Sequence, residues 1–421
     1  MMKKIEKCRI CAKKELKTIL NLGDVYVSDF VDKVGQGIKA PLELVLCNKA
    51  EGGCGLLQLA HTVQPEKMYF QYWYRSGINE SMRRALKDVT VKAEEAAQLK
   101  PGDSVLDIGC NDGTMLRSYD TKGLKLYGID PARNLRQYSE QGTTKIITDF
   151  FNAAAIQREI PNAKFKVITA IAMFYDLDTP NIFVEDITRF LDKDGVFIIQ
   201  MMSLPLMLKT TGFDNICHEH LEYYSLIALN NLLDRHGLQA FDVESNDVNG
   251  GSFRIYIRFK GTTVGNHIQG AKARVSAMLK EEADLGLNDL AVYVKFAEKI
   301  QKIKQEVRGF IAKEVASGKK VYVYGASTKG NTLLPVFGID HKLVVAALER
   351  NTEKYGKLTV GTWIPIISEE EGRKAKPDYL FVLPWHFLEG FLQRERAYLE
   401  SGGKFIVPLP EFRVISAADL K

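Results

Sequence analysis

From Ser104 onward, short apolar runs of strand character alternate with helical stretches, and this alternation limits the middle of the chain to a mainly parallel α/β sheet. The runs lie at 104–109, 124–129, 165–172 and 196–201. A second series opens at 320–325 and continues at 343–348, 379–383 and 404–407, so the end of the chain reads as another, smaller α/β unit. Parallel strands joined by crossover helices bury both faces of a sheet. Each unit therefore carries its own core.

The rest of the chain divides around these two units. Residues 1–65 are rich in Gly and Cys and hold too few apolar side chains for a core without a staple. Residues 66–98 read as a helical bridge with an aromatic segment on the substrate side, 99–267 as the first α/β unit, 268–316 as a helical connection and 317–421 as the second unit. The 421 residues, 46% hydrophobic and 26% charged, suffice for two or three cores and exclude a disordered or collagen-like chain. Lys plus Arg number 57 against 52 for Asp plus Glu. A net charge of +5 over so large a surface suits a phosphate-bearing ligand and does not argue for nucleic acid. No run approaches the ~18 apolar residues of a membrane span, and the start lacks an apolar signal core, so the expectation is a soluble, cytoplasmic protein.

Four of the six cysteines fall within the first 54 residues. Cys8 and Cys11 form a two-residue-spaced pair; Cys47 and Cys54 flank Glu51-Gly52-Gly53. Four thiolates make a tetrahedral zinc set, closed to substrate and hence structural. The second gap is wider than in a zinc ribbon, which leaves buried unpaired thiols as the alternative. His61 is a further candidate ligand or a packed residue.

The segment Val105-Leu106-Asp107-Ile108-Gly109-Cys110-Asn111-Asp112-Gly113 runs from a strand into an acidic glycine turn. Its Asp-x-Gly-x-x-x-Gly order differs from the Gly-x-Gly-x-x-Gly of dinucleotide binders. Asp130 ends the next strand, where a carboxylate accepts from ribose hydroxyls. The combination resembles the class I S-adenosylmethionine (SAM) methyltransferases. That resemblance implies Asp107, Gly109, Asn111 and Gly113 around the methionine part, Asp130 on the ribose, Asp149 and Phe150 at the adenine, and Ala172 beside the cofactor.

Asn215-Ile216-Cys217-His218-Glu219-His220-Leu221-Glu222-Tyr223-Tyr224-Ser225 concentrates imidazole, carboxyl and phenol groups just after a strand. Imidazole suits proton abstraction near neutral pH, and a neighbouring carboxylate orients it or raises its basicity. A metal site and a packed cluster are the alternatives; the segment lacks the His-x-x-x-His spacing of a helical zinc site. Together with the four cysteines, the SAM turn and Tyr-Gly-Ala-Ser-Thr-Lys-Gly-Asn-Thr at 324–332, this segment resembles the nucleotide-sugar C-methyltransferases of deoxysugar biosynthesis, over essentially the whole chain. The resemblance implies a zinc module, a central class I Rossmann-like SAM domain and a C-terminal Rossmann-like α/β domain. It also implies His220 as the base and Glu219 as its assistant. The family often has Tyr where this chain has Cys217. Tyr72 and Tyr74 match a stretch whose tyrosines line the sugar pocket, and Cys217, His218 and Tyr224 fall on the substrate side.

In the second glycine loop, backbone N–H groups at a helix start, hydroxyls and Lys329 form a natural pyrophosphate cradle. The candidates there are Gly325, Ser327, Lys329, Asn331 and Glu349. In neighbouring segments the family usually has His in place of Trp363 and Asn in place of His386. The activity implied is SAM-dependent C-methylation of a nucleotide-diphosphate 4-keto-6-deoxy sugar, at C3, with SAM and structural Zn²⁺ as cofactors, in a monomer or weak homo-oligomer without nucleic-acid or membrane partners. The rivals are a methyltransferase for another acceptor, RNA or small molecule, and a non-catalytic binding protein.

Overall fold

The computed structural model describes residues 2–70 and 72–420, the Asn249 side chain excepted. The central sheet has seven strands, in spatial order Lys145–Ile147, Lys125–Ile129, Ser104–Ile108, Phe165–Ile171, Leu191–Met202, Ser252–Phe259 and Leu238–Asn246. Numbered along the chain this is 3-2-1-4-5-7-6, with the seventh antiparallel to both neighbours and the first five parallel. The strand order reverses between Ser104–Ile108 and Phe165–Ile171, and ligands of open α/β sheets bind at the carboxyl ends of such a switch point.

The helix Glu80–Ala97 covers this sheet. Asn79 caps it by accepting from Ser81 N, and Leu86, Val89, Thr90, Ala93, Ala96 and Ala97 recur at helical spacing as its buried face. The carboxy-terminal sheet repeats the logic with six strands, ordered 3-2-1-4-5-6 in its own chain numbering and parallel except for the last. Its switch point lies between Val321–Tyr324 and Tyr379–Val382. The connection between the units is two helices, Ala271–Asp284 and Leu290–Ala316, separated by a turn in which Gly286 takes a left-handed φ of +75°. The longer helix buries Tyr293, Phe296, Ile300, Ile303, Val307 and Ile311 along one stripe.

The amino-terminal sheet is antiparallel and takes its fourth strand from the middle of the chain: Glu222–Tyr223 pairs with Leu57–Leu59, which pairs with Lys39–Leu46 and so with Lys17–Tyr26. One apolar core runs from this sheet (Leu42, Leu44) through Phe213 and Ile216 to the long helix and the carboxy-terminal sheet (Val323, Phe381). A second joins Cys8, Cys47 and Cys54 to the face of the central sheet. The small amino-terminal module is thus stabilised by both larger units.

Among the described residues no helix is long and apolar enough to cross a membrane. The helix Leu226–Asp234 starts with its first three N–H groups satisfied: Ser225 accepts from Ala228, and the Glu282 carboxylate accepts from Leu226 at 2.6 Å and Ile227 at 2.9 Å. Glu282→Ala leaves two of these donors buried and unpaired, so chemical denaturation is expected to show a loss of about 2 kcal/mol with zinc content unchanged.

Candidate active site

The four cysteine sulfurs converge. Sγ separations are 3.5 Å for Cys8–Cys54 and 3.4 Å for Cys11–Cys47, and all four ligand atoms lie within 4.8 Å of one another. Tetrahedral zinc at about 2.3 Å from each sulfur requires separations of about 3.8 Å, so the donor set fits. A short turn over Lys49–Glu51 takes up the wide second gap. Gly52 there has φ +82°, and a Cβ on Gly53 would lie 2.7 Å from the Cys47 carbonyl oxygen. Crowding separates the thiols: hydrogen bonds from Cys47 and Cys54 hold Cys8 down as a thiolate, while Cys54 is pushed up. A divalent cation relieves that competition, and four thiolates leave it no open position. His61 is outside the set, with Nδ1 4.0 Å from Glu43. Arg9, inside the first cysteine pair, donates to the Leu59 carbonyl at 2.7 Å and Thr62 Oγ1 at 2.8 Å and reaches Asp178 at 3.3 Å. The zinc loop is thereby fastened to the loop that follows the fourth strand of the central sheet.

At the central switch point the predicted cofactor residues come together. Gly109 and Gly113 have φ of +72° and +74°; a Cβ on Gly113 would meet the Ser139 backbone at 3.0 Å. Asn111 N donates to Asp130 Oδ2 at 2.8 Å, and Ala132 N to Oδ1 at 2.8 Å. Asp107 accepts from Thr169 Oγ1 at 2.7 Å. Burial pushes the Asp107 carboxyl up to about 7 and Asp130 up to about 6. Asp149 accepts from the Phe150 backbone N–H, and the Phe150 ring packs 5.8 Å from Phe70. Beside them Thr148 Oγ1 is closed off from solvent without a hydrogen-bond partner among the described residues. Ala172 takes φ +56° and donates to the Gln200 carbonyl at 2.7 Å. Two acidic groups, two glycines and a polar orphan around one crevice fit a cationic nucleoside ligand such as SAM.

Asn111 also ties the aromatic segment to this crevice, accepting from Ser76 N at 3.0 Å and donating to the Tyr74 carbonyl at 3.0 Å. Tyr72 exposes 39% of its surface, yet burial and the nearby Asp176, Glu219 and Cys217 push its hydroxyl up, and Asp130 adds to the effect. Burial and then Asp112 push Tyr74 up to about 12. His220 Nδ1 pairs with the Asn215 carbonyl at 2.9 Å and its ring meets Tyr175 edge-on at 4.4 Å. Burial, then the charge of Lys329, lower it to about 3. Glu219 and Cys217 are both pushed up by burial. His218 and Tyr224 point elsewhere: His218 Nε2 pairs with the Ala40 carbonyl at 3.1 Å, and the Tyr224 hydroxyl donates to Glu222 at 2.9 Å inside the core shared with the cysteines.

In the carboxy-terminal loop Lys329 lies near enough to Asp214, His220 and His386 to act on the charge of each. Asp214 is fully buried and accepts from Trp385 Nε1 at 3.1 Å. Gly325 has φ +86°, and a Cβ there would strike Pro384 at 2.7 Å. Ser327 Oγ accepts from Gly330 N, and Glu349 accepts from Ala326 N and Asn351 N, so both hold the loop's shape. Asn331 donates to Ser28 Oγ and the Asp29 carbonyl, anchoring the loop to the zinc module. Sequence reasoning passed over Asp214 and the pair Tyr175-Asp176; the signal for the pair was their position immediately after the strand that ends beside the cofactor.

A 3-2-1-4-5-7-6 sheet with an acidic glycine turn at its switch point defines a class I SAM-dependent methyltransferase, here carrying a structural zinc module. Three family models match: "Putative zinc binding domain" at residues 8–69, "Methyltransferase domain" at 78–243 and "C-methyltransferase C-terminal domain" at 247–410. The chain is 30% identical to C-methyltransferase NovU of Streptomyces niveus over 99% of its own length and 98% of that protein's. It belongs to the C-methyltransferase family. Sphingolipid C9-methyltransferase A of Emericella nidulans is 30% identical over 26% of this chain and 23% of its own. The plantazolicin methyltransferase BpumL superposes with a TM-score of 0.34 at 15% identity, over 43% of this chain and 86% of that one.

Three outcomes are expected from this geometry. Cys47→Ser is expected to lower zinc, measured by elemental mass spectrometry, from about one ion per chain to a small fraction, with a fall in thermal stability. Carboxyl groups raised by burial take up protons as pH falls through about 7 and 6, and a cationic ligand then meets less negative charge. The calorimetric Kd for SAM is therefore expected to rise steeply below about pH 6, by about tenfold per unit for each group that must ionise. The sign for stability is opposite, because a folded-state value raised above the unfolded one is a contribution lost as pH rises. Asp107→Asn should gain about 2–4 °C in Tm at pH 8 while losing SAM affinity.

Proposed function

We propose that the protein transfers the methyl group of SAM to C3 of a nucleotide-linked 4-keto-6-deoxy sugar, with His220 as general base. The carrying observation is the setting of His220: pairing of Nδ1–H with the Asn215 carbonyl makes Nε2 the unprotonated nitrogen, within a cluster of acids and phenols whose uncharged forms burial favours. Carbon becomes nucleophilic only as an enolate, and a ketone at C4 makes the C3 proton removable. When bound, SAM supplies the electrophilic methyl group. His220 takes the C3 proton, Glu219 supports the imidazole, and phenols such as Tyr72 stand on the cofactor side of the same cluster. Tyr74, anchored through Asn111, lines the entrance. Residues 1–65 act as the zinc module, 99–267 hold the cofactor and 317–421 the nucleotide diphosphate, with Lys329 toward the pyrophosphate. A diphosphate at Lys329 offsets the positive charge that lowers His220, so nucleotide binding itself raises the basicity of the catalytic imidazole.

Incubation with methyl-deuterated SAM and a panel of nucleotide-linked 4-keto-6-deoxy sugars, read by mass spectrometry, is expected to give one product labelled on sugar carbon. His220→Gln should abolish that transfer and the exchange of the C3 proton with solvent while leaving the Kd for SAM within about twofold, since no cofactor contact is lost. Transfer at the wild-type rate by the variant would remove His220 from the mechanism; no transfer by the wild type to any ketosugar would point to another acceptor.

A further inference from the structure

Asp176 follows the fourth strand of the central sheet, in the short turn Phe174–Asp176, and therefore stands at the switch point where the cofactor crevice meets the His220 segment. Its Oδ1 is closed off from solvent and has no hydrogen-bond partner among the described residues; the same holds for Glu219 Oε2. Two buried carboxyl oxygens without partners, on residues near enough for Glu219 to act on Asp176, are costly unless a ligand or a proton satisfies them. Tyr69 lies between the two, donating its O–H to the Glu219 backbone carbonyl at 3.2 Å and standing near enough to Asp176 to act on its acidity. Tyr175, next in the chain, lies against the His220 ring at 4.4 Å.

The electrostatics agree with this geometry. Burial pushes the Asp176 carboxyl well up, Glu219 and Glu222 push it further, and only the Tyr69 hydroxyl acts in the other direction. Tyr72, Cys217 and Tyr223 lie close enough to feel its charge, and none of them is a cation. Burial and the neighbouring carboxyl groups thus favour the protonated form of Asp176, which is suited to donating one hydrogen bond where negative charge develops.

We infer that Asp176 is a catalytic residue of the methyl transfer, its carboxylic O–H donating to the C4 oxygen as that oxygen becomes an oxyanion. The assignment rests on the ketosugar reading above. As the C3–H bond breaks, its proton passes to His220 Nε2 and its electron pair forms the C3–C4 double bond, while the carbonyl pair moves onto O4. Asp176 keeps its proton throughout, shared in a short hydrogen bond to O4. When C3 attacks the methyl group the carbonyl reforms, the methyl–sulfur bond breaks with its electrons left on sulfur, and the bond to Asp176 weakens again.

The test compares Asp176→Ala and Asp176→Asn in the full chain by following exchange of the C3 proton of a ketosugar nucleotide with deuterated solvent. The expectation is a fall of about 100-fold or more in exchange and methyl transfer for Asp176→Ala. Asp176→Asn, whose amide still donates, should be slowed less, and its rate should no longer decline at the high pH where the acid ionises. Both variants should bind SAM as the wild type does. Independently of substrate, the infrared band of a protonated carboxyl at pH 7 should be smaller in Asp176→Asn. Wild-type exchange in Asp176→Ala, equal inactivity of the two variants, or an unchanged infrared band would each overturn the assignment. A wild type that exchanges no ketosugar proton would instead overturn the reading beneath it, and the infrared band would still decide whether Asp176 is an acid.

Discussion

Everything about this site depends on how the segment Asn215–Tyr223 is held. It is a loop whose backbone and side chains are sewn to three separate units. The Ile216 carbonyl accepts from Thr332 of the carboxy-terminal domain, the His220 ring meets Tyr175 of the central unit, the His218 ring pairs with the Ala40 carbonyl of the zinc module, and Glu222–Tyr223 becomes the edge strand of that module's sheet. A loop with so many partners loses its conformational freedom during folding, when other interactions offset the cost, and the imidazole of His220 is set in place before any ligand arrives. The zinc ion is what lets so small a module act as the third anchor, because its own apolar residues are too few.

The second constraint is dielectric. Around His220 burial is the largest cause of nearly every shifted group: it lowers the imidazole and raises Asp176, Glu219, Cys217 and the tyrosines. The result is a pocket in which burial favours the uncharged form of each of these groups. Such a pocket suits a reaction in which charge appears only as the proton leaves carbon, since fixed dipoles and acidic hydrogens then act where water would have had to reorganise. On the cofactor side the same burial raises Asp107 and Asp130, whose ionisation a cationic ligand favours.

Much of this was legible without coordinates. The parallel sheets followed from alternating strand and helix runs, the zinc set from cysteine spacing, and the cofactor crevice from an acidic glycine turn linked to an acid at the end of the next strand. These are local signals, in which residue type and spacing already imply the chemistry. Less legible was which way each side chain faces. His218, Tyr224 and His220 lie within seven residues and looked alike, yet the first two turn into the zinc module and the core while the third faces the cluster with Tyr175. Ser327, Asn331 and Glu349 read as ligands to a diphosphate, whereas the observed bonds of all three shape or anchor the loop itself.

By itself, then, the amino-acid sequence determined the two α/β units, the four metal-binding thiols and the presence of a segment dense in imidazole, carboxyl and phenol groups, because each is encoded by short-range periodicity or spacing that folding preserves. Only the tertiary structure decided that Glu222–Tyr223 completes the zinc module's sheet, that Lys329 acts on His220 from another domain, and that Glu219 lies near enough to Asp176 to push its carboxyl up. These are contacts between residues tens to hundreds of positions apart, and the shifted acidities they produce come from water being excluded when the three units close. No residue type or spacing carries that exclusion; it exists only once the surfaces have met.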